Sequence, residues 1–225
     1  MYSQDMDFIK DDLETLPNKV MDKIWVILKS FYKGIGQENL ESESSLSDDL
    51  TSLIQELLNE DKGYTCLLWA GIIIGKSIIP TIEKYDPDND LLDVVLGLVC
   101  GHCFTYAAVN ESYAKDKILL PPIHEDIRSR LFVEKYSLEN ITTLNNNQYK
   151  NALLIYHHLL GLCINPSVIK DMVEIITLFI ERDVITSNLE NKKVLLDWIA
   201  GEVISSAWER RIPVFMYDIE NLNHK

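Results

Sequence analysis

Apolar residues recur along this chain with the spacing of an α-helix, whereas the strict alternation typical of β-strands is nearly absent. One predicted helix opens near Pro17 and ends at Gly34. Its apolar face consists of Val20, Ile24, Ile27, Leu28 and Phe31. Because the same pattern continues along the chain, we predict an all-α fold. The expected architecture is a compact bundle of roughly eight or nine helices that forms a single domain over residues 1–225.

The other predicted helices are separated by turn and capping residues. Ser47 is a candidate N-cap for a helix that runs to about Leu58, and Asn165-Pro166 should open another helix. Pro80 should kink or interrupt the long apolar helix in which it lies. The remaining predicted helices cover about 5–16, 64–85, 91–116, 123–136, 148–163 and 188–210.

A small, polar and acidic stretch covers residues 34–49 and is predicted to be a loop or linker after the N-terminal helices. The whole chain has 21 Lys and Arg against 35 Asp and Glu, a formal net charge of -14. Such a charge repels phosphate groups, so we expect neither nucleic acid nor an anionic membrane as the partner. If charge governs binding, the partner is a basic protein or a cation.

No targeting or membrane segment is evident in the sequence. The first residues are acidic and lack an apolar run, and the longest apolar stretch, 66–82, is interrupted by Lys76. A cytoplasmic protein is expected. In that compartment the four cysteines, Cys66, Cys100, Cys103 and Cys163, should be reduced thiols.

Cys100-Gly101-His102-Cys103 is the sharpest chemical signal in the sequence, because CGHC occurs in disulfide-exchange enzymes. Those enzymes place the first thiol at a helix N-terminus after a strand, and a tryptophan usually precedes it. Here Val99 precedes Cys100 and the upstream residues have a helical pattern. Apolar neighbours within a helix should raise the thiol pKa, so the context argues against redox chemistry.

Pairs of glycines suggest a structural explanation for the same segment. Gly97 and Gly101 are four residues apart, as are Gly71 and Gly75 on the preceding predicted helix. Glycine inside a helix costs about 1 kcal/mol relative to alanine, which suggests that the pairs allow two helices to approach closely. Cys100 and Cys103 would then be small apolar residues beside that contact.

The sequence gives less support to metal binding and catalysis than to a structural role for these residues. Zinc sites usually combine two ligand pairs, whereas only one CxxC is present and the adjacent His157 and His158 diverge by about 100° on a helix. One of these histidines should pack in the core and the other should face solvent. The stretch 86–97 begins like a calcium loop but has Leu91 and Gly97 where glycine and glutamate are required. We expect no metal, no cofactor and no catalytic residue.

The segment Leu67 to Val95 resembles a pattern found in some bacterial all-helical immunity proteins of polymorphic toxin systems. The likeness rests on matching residues at similar spacing, which are Trp69-Ala70, Pro80, Glu83-Lys84, Pro87 and Asp88. It covers about thirty residues, and the alanine- and histidine-rich run expected downstream is absent. The resemblance implies a small acidic protein that inhibits a basic toxin by electrostatically steered binding.

The sequence therefore favours a non-catalytic protein-binding module, with an immunity-type inhibitor as the specific hypothesis. The partner is expected to be a protein, and the oligomeric state is left open. The alternatives are a thiol- or metal-dependent enzyme that uses Cys100 and Cys103, and a helical bundle that binds a small molecule. The residues expected to steer a basic partner are Glu38, Glu41, Glu43, Asp48 and Asp49.

Overall fold

A computed structural model describes residues 15–34, 42–89, 91–110, 146–164, 167–180 and 194–213. Within these ranges the chain is helical and contains no β-strand, so the predicted all-α fold is confirmed. The α-helices are α1 (Asn18–Gly34), α2 (Ser42–Asn59), α3 (Gly63–Ser77), α4 (Ile79–Glu83), α5 (Leu91–Asn110), α6 (Asn147–Ile164), α7 (Val168–Ile180) and α8 (Ile204–Trp208). The predicted helices 5–16 and 123–136 lie almost entirely outside the described residues.

The chain divides into two units by its internal contacts. Unit 1 comprises residues 1–73 and 186–225, and unit 2 comprises residues 74–185, so the boundary falls within α3. Unit 1 contains α1, α2, most of α3 and the helical segment 194–208. Unit 2 contains the end of α3 and helices α4 to α7.

Helices α1 and α2 of unit 1 contact each other and are both amphipathic. The predicted apolar face of α1 is confirmed where its side chains are described, and α1 ends at Gly34 as expected. The prediction for α2 was wrong at its start, because the helix begins at Ser42 and Ser47 lies inside it. The helix must include Leu46, which precedes the predicted cap at Ser47, because Leu46 begins the buried stripe. The stripe continues with Leu50, Leu53, Ile54 and Leu57.

Helix α3 is buried on nearly every side, with only Trp69, Lys76 and Ser77 partly exposed. Its uniform apolarity, rather than an amphipathic pattern, marks it as a core helix. The expected break at Pro80 is present, because α3 ends at Ser77 and Pro80 lies in the first turn of α4.

The segment 194–208 of unit 1 contains a π-helical stretch, Trp198–Val203, followed directly by α8. Polar side chains of α3 hydrogen-bond to backbone carbonyls in this region. The Trp69 indole N–H donates to the carbonyl of Arg211 at 2.8 Å, and the Cys66 thiol donates to that of Ile204 at 3.7 Å. These bonds satisfy polar atoms that would otherwise be buried at a cost.

In unit 2, α6 packs against α5, α4 and most extensively α7. Gly75 allows close approach, because a Cβ there would stand 2.7 Å from the Leu159 side chain and 3.0 Å from that of Leu96. The Tyr156 hydroxyl donates to the Gly75 carbonyl at 2.9 Å. Gly75 thus makes room for neighbouring helices, but it meets leucine side chains of α6 and α5 rather than the predicted glycines.

The matching prediction for Gly97 and Gly101 was wrong. Both residues are exposed, and a Cβ added to either would meet no atom within 4 Å. The spacing of four residues places the two glycines on one face of α5, but that face points away from the described core. Sequence spacing shows which residues share a face and cannot show which face is buried.

Among the helices that the structure describes, none has both the length and the apolarity required to cross a membrane.

Candidate functional site

The outward face of α2 is acidic. Asp48 is exposed on the side opposite the buried leucine stripe, and Asp49 and Glu56 are partly exposed along one flank of that stripe. The helix contains no lysine or arginine along its length. None of these three carboxylates forms an ion pair with any residue that the structure describes. The face therefore presents uncompensated negative charge to solvent.

The structure places only part of the predicted acidic set. Glu38 and Glu41 lie outside the described residues, and Glu43 belongs to the first turn of α2 without a described side chain. Asp48 and Asp49 lie on the helix rather than in the loop that the sequence suggested. Glu56 was not predicted, although its position seven residues after Asp49 places the two on nearly the same side of the helix.

The CGHC segment lies in the middle of α5, where Cys100 is the tenth residue of the helix. Cys103 and His102 are buried, and Cys100 is partly exposed. Because the effect of the helix dipole is confined to the terminal turns, neither thiol is activated by a helix N-terminus. All four cysteines are free thiols.

Burial also suppresses formation of the reactive thiolate. It raises the pKa of the Cys100 thiol, and the smaller opposing effect of Lys76 does not reverse this change. In α6, burial and the nearby Cys103 raise the pKa of Cys163 to about 12. A catalytic thiol requires a lowered pKa, so these shifts are opposite to those of a thiol oxidoreductase.

No group of three or more His, Cys, Asp or Glu side chains capable of holding a metal ion occurs among the described residues. His102, Cys100 and Cys103 share one helix but do not form such a group.

An ionisable pair with a buried carboxylate links α6 and α7 in unit 2. His158 Nδ1 and Asp171 Oδ1 are 2.8 Å apart, and the two side chains are 17% and 4% exposed. The second carboxylate oxygen, Asp171 Oδ2, is buried and has no hydrogen-bond partner. The pair is held in place by helix packing, because α6 and α7 make the most extensive contact in the described chain.

Gly161, on α6 one turn after His158, makes room for the carboxylate. A Cβ at this position would lie 2.5 to 2.7 Å from Asp171 Oδ2, Cγ and Oδ1. Any larger residue would therefore push Asp171 away from His158.

The sequence analysis missed this pair, although a signal was present. Asp171 lies between Val168 and Ile175 on the apolar face of α7, and all three residues are buried. An acid at an apolar position requires a buried partner. The adjacent histidines were expected to divide between core and solvent, but His157 and His158 are both partly exposed, with their ring centroids 5.0 Å apart.

A histidine held at Nδ1 by a carboxylate is oriented in a way that suits general-base catalysis or metal ligation. A third ligand for a metal is absent from the part of the chain that the structure describes. The arrangement is accounted for by helix pairing, in which His158 Nδ1 and Asp171 Oδ1 serve as hydrogen-bond partners across α6 and α7.

Comparison of the chain with protein-family models, with curated proteins and with solved structures found no match.

Proposed function

We propose that this chain is a non-catalytic protein-binding module that acts as an immunity-type inhibitor of a basic toxin in the cytoplasm. The observation that carries the proposal is the acidic outward face of α2, where Asp48, Asp49 and Glu56 lack ion-pair partners among the described residues. The net charge of -14 adds long-range attraction for a basic protein.

Two further observations support binding rather than catalysis. The candidate nucleophile Cys100 and the neighbouring buried thiol Cys163 have raised pKa values through burial, which lowers the fraction of thiolate at neutral pH. The histidine oriented by a carboxylate, His158, has its Nδ1 engaged with Asp171.

The segment that resembles immunity proteins, Leu67 to Val95, covers most of α3, α4 and the start of α5.

Charge complementarity governs association rate and specificity more than total affinity. The proposed complex should therefore form rapidly at low salt and weaken as the ionic strength rises. Because exposed carboxylates on a helix surface contribute little to folding, removing them should leave the fold intact.

The test measures association with a panel of small basic proteins, including nucleases, at 50 and 300 mM NaCl. One variant neutralises the predicted acids with Glu38→Gln, Glu41→Gln, Glu43→Gln, Asp48→Asn and Asp49→Asn. The control makes the same change in net charge elsewhere, with Glu83→Gln, Asp88→Asn, Asp93→Asn, Glu174→Gln and Glu209→Gln.

The proposal predicts that at least one basic protein binds the natural chain and loses tenfold or more of its affinity for the first variant only. Equal losses in the two variants, or binding that is insensitive to salt, would contradict a local acidic site. Absence of binding to every basic protein of the panel would argue against the proposed function itself.

A further inference from the structure

A second charged surface lies on α1 and has the opposite sign to that of α2. Lys19 and Lys29 are exposed and Lys23 is partly exposed. At 3.6 residues per turn, the three lysines and Val26 fall within about 120° of one helix face. We call this set, Lys19, Lys23, Val26 and Lys29, the basic strip.

The basic strip is uncompensated. None of its lysines forms an ion pair with a described residue, and the only acid on the same face is Asp22. Three lysines and one aspartate leave a local net charge of +2 in a chain whose total is -14. Helix α1 thus differs in charge from α2, which contains no basic residue.

Apolar surface accompanies these charges. Val26, between the lysines, is 52% exposed, and Trp25 beside it is partly exposed. The other apolar residues of α1 with described side chains, except Met21, are buried in the core. The exposed Val26 and the partly exposed Trp25 offer apolar contact area of the kind that forms the centre of an interface, and the lysines can form part of its polar rim.

We propose that the basic strip of α1 binds an acidic segment of a protein partner. The segment contacts Val26 and Trp25, and its carboxylates pair with the three lysines. The strip spans eleven residues, from Lys19 to Lys29, or about 15 Å of helix, which suits a short peptide segment. A membrane or nucleic acid is disfavoured, because an extended polyanion would also face the many acidic residues of the chain. A short acidic segment interacts mainly with charges within about 8 Å, the screening length at physiological ionic strength.

The experiment uses the full chain and a fluorescein-labelled peptide with six glutamates around one central phenylalanine, monitored by fluorescence anisotropy. A peptide with glutamine in place of every glutamate tests the role of charge. Vesicles containing 30% phosphatidylserine test the membrane alternative. The strip variant is Lys19→Glu, Lys23→Glu and Lys29→Glu, and the control variant is Lys84→Glu, Lys150→Glu and Lys170→Glu.

Because both variants change the net charge equally, only a local site distinguishes them. We expect the glutamate peptide to bind the natural chain at least tenfold more tightly than the strip variant and within threefold of the control variant. No binding up to 1 mM peptide, equal losses in both variants, equal binding of the glutamine peptide, or binding to vesicles without binding to peptide would each overturn the proposal. Circular dichroism checks that both variants keep their helical content.

Discussion

The α2 surface of unit 1 and the α5–α7 core of unit 2 differ in where their polar groups lie. In unit 2, the residues with the richest chemistry, among them Cys103, His102 and Asp171, are buried between helices. On α2, the accessible groups include the carboxylates of Asp48, Asp49 and Glu56. Residue types that suggest catalysis are therefore buried here, whereas the chemically plain carboxylates are accessible to solvent. The two regions should accordingly respond differently to mutation.

The largest effect is expected for Gly161→Ala in the core of unit 2. The new Cβ would occupy space now filled by the Asp171 carboxylate, so that the contact with His158 is lost and the carboxyl group remains buried without its partner. The lost pair and the steric crowding together cost about 3–5 kcal/mol of unfolding free energy. Urea unfolding followed by circular dichroism measures this loss.

Gly97→Ala is the matched control, because Gly97 also lies inside a helix but faces open space. Alanine should stabilise the helix here by about 1 kcal/mol. If both substitutions had the same effect on the urea midpoint, the proposed role of Gly161 in seating Asp171 would be wrong.

The next effect concerns the coupling between His158 and Asp171. Replacing either residue alone with leucine leaves the other without its partner, whereas the double replacement removes both polar groups. We expect each single variant to lose about 2–3 kcal/mol of stability and the double variant to lose clearly less than their sum. A strictly additive double-mutant cycle would show that the 2.8 Å contact contributes no coupling energy.

A smaller effect should appear at high pH through Cys163. Its pKa is raised to about 12 in the folded chain by burial and the nearby Cys103, against 9.0 for an ordinary thiol. Above pH 9 the unfolded chain loses the thiol proton while the folded chain retains it. The stability present below pH 9 therefore falls by up to about 1.4 kcal/mol per pH unit until the folded pKa is reached.

Cys163→Ala tests this effect. The quantity to compare is the slope of the unfolding free energy against pH, because the substitution also leaves a cavity that lowers the stability at every pH. Between pH 9 and 10.5 the unfolding free energy of the variant should fall less steeply than that of the natural chain. Equal slopes would show that Cys163 does not titrate differently in the folded and unfolded states. The Tyr156 pKa is also raised, chiefly by burial with added effects of Asp93 and Glu83, but Tyr156 is common to both proteins.

Much of the fold could be predicted because helical periodicity is a local property. The buried face of α1, the break at Pro80 and the limits of α6 follow from spacing and turn chemistry alone. The outward orientation of Gly97 and Gly101 could not be predicted, because it depends on which side of α5 meets other helices. The start of α2 was placed too late because its polar first turn has the composition of a loop.

The site was harder to predict than the fold. The sequence drew attention to CGHC, whose residues are contiguous and easily recognised, but their chemistry depends on burial. His158 and Asp171 are 13 positions apart and become a pair only when α6 and α7 pack together. The position of Asp171 on the apolar face of its helix could have identified it as a buried acid. The identity of its partner could not be predicted, because it depends on tertiary structure.

The most direct test of the central claim compares salt-dependent binding in two matched variants of the chain. The ligand is the basic protein of the panel that binds the natural chain most tightly, and the dissociation constant is measured from 50 to 500 mM NaCl. One variant carries Asp48→Asn, Asp49→Asn and Glu56→Gln on α2. The other carries Glu83→Gln, Asp88→Asn and Asp93→Asn in unit 2, and the urea midpoints of both are recorded.

We predict that the α2 variant keeps its stability within about 0.5 kcal/mol, loses at least tenfold in affinity at low salt and shows a weaker salt dependence. The unit 2 variant should bind within threefold of the natural chain. Equal losses of affinity in the two variants would contradict the claim that this chain acts through the acidic face of α2.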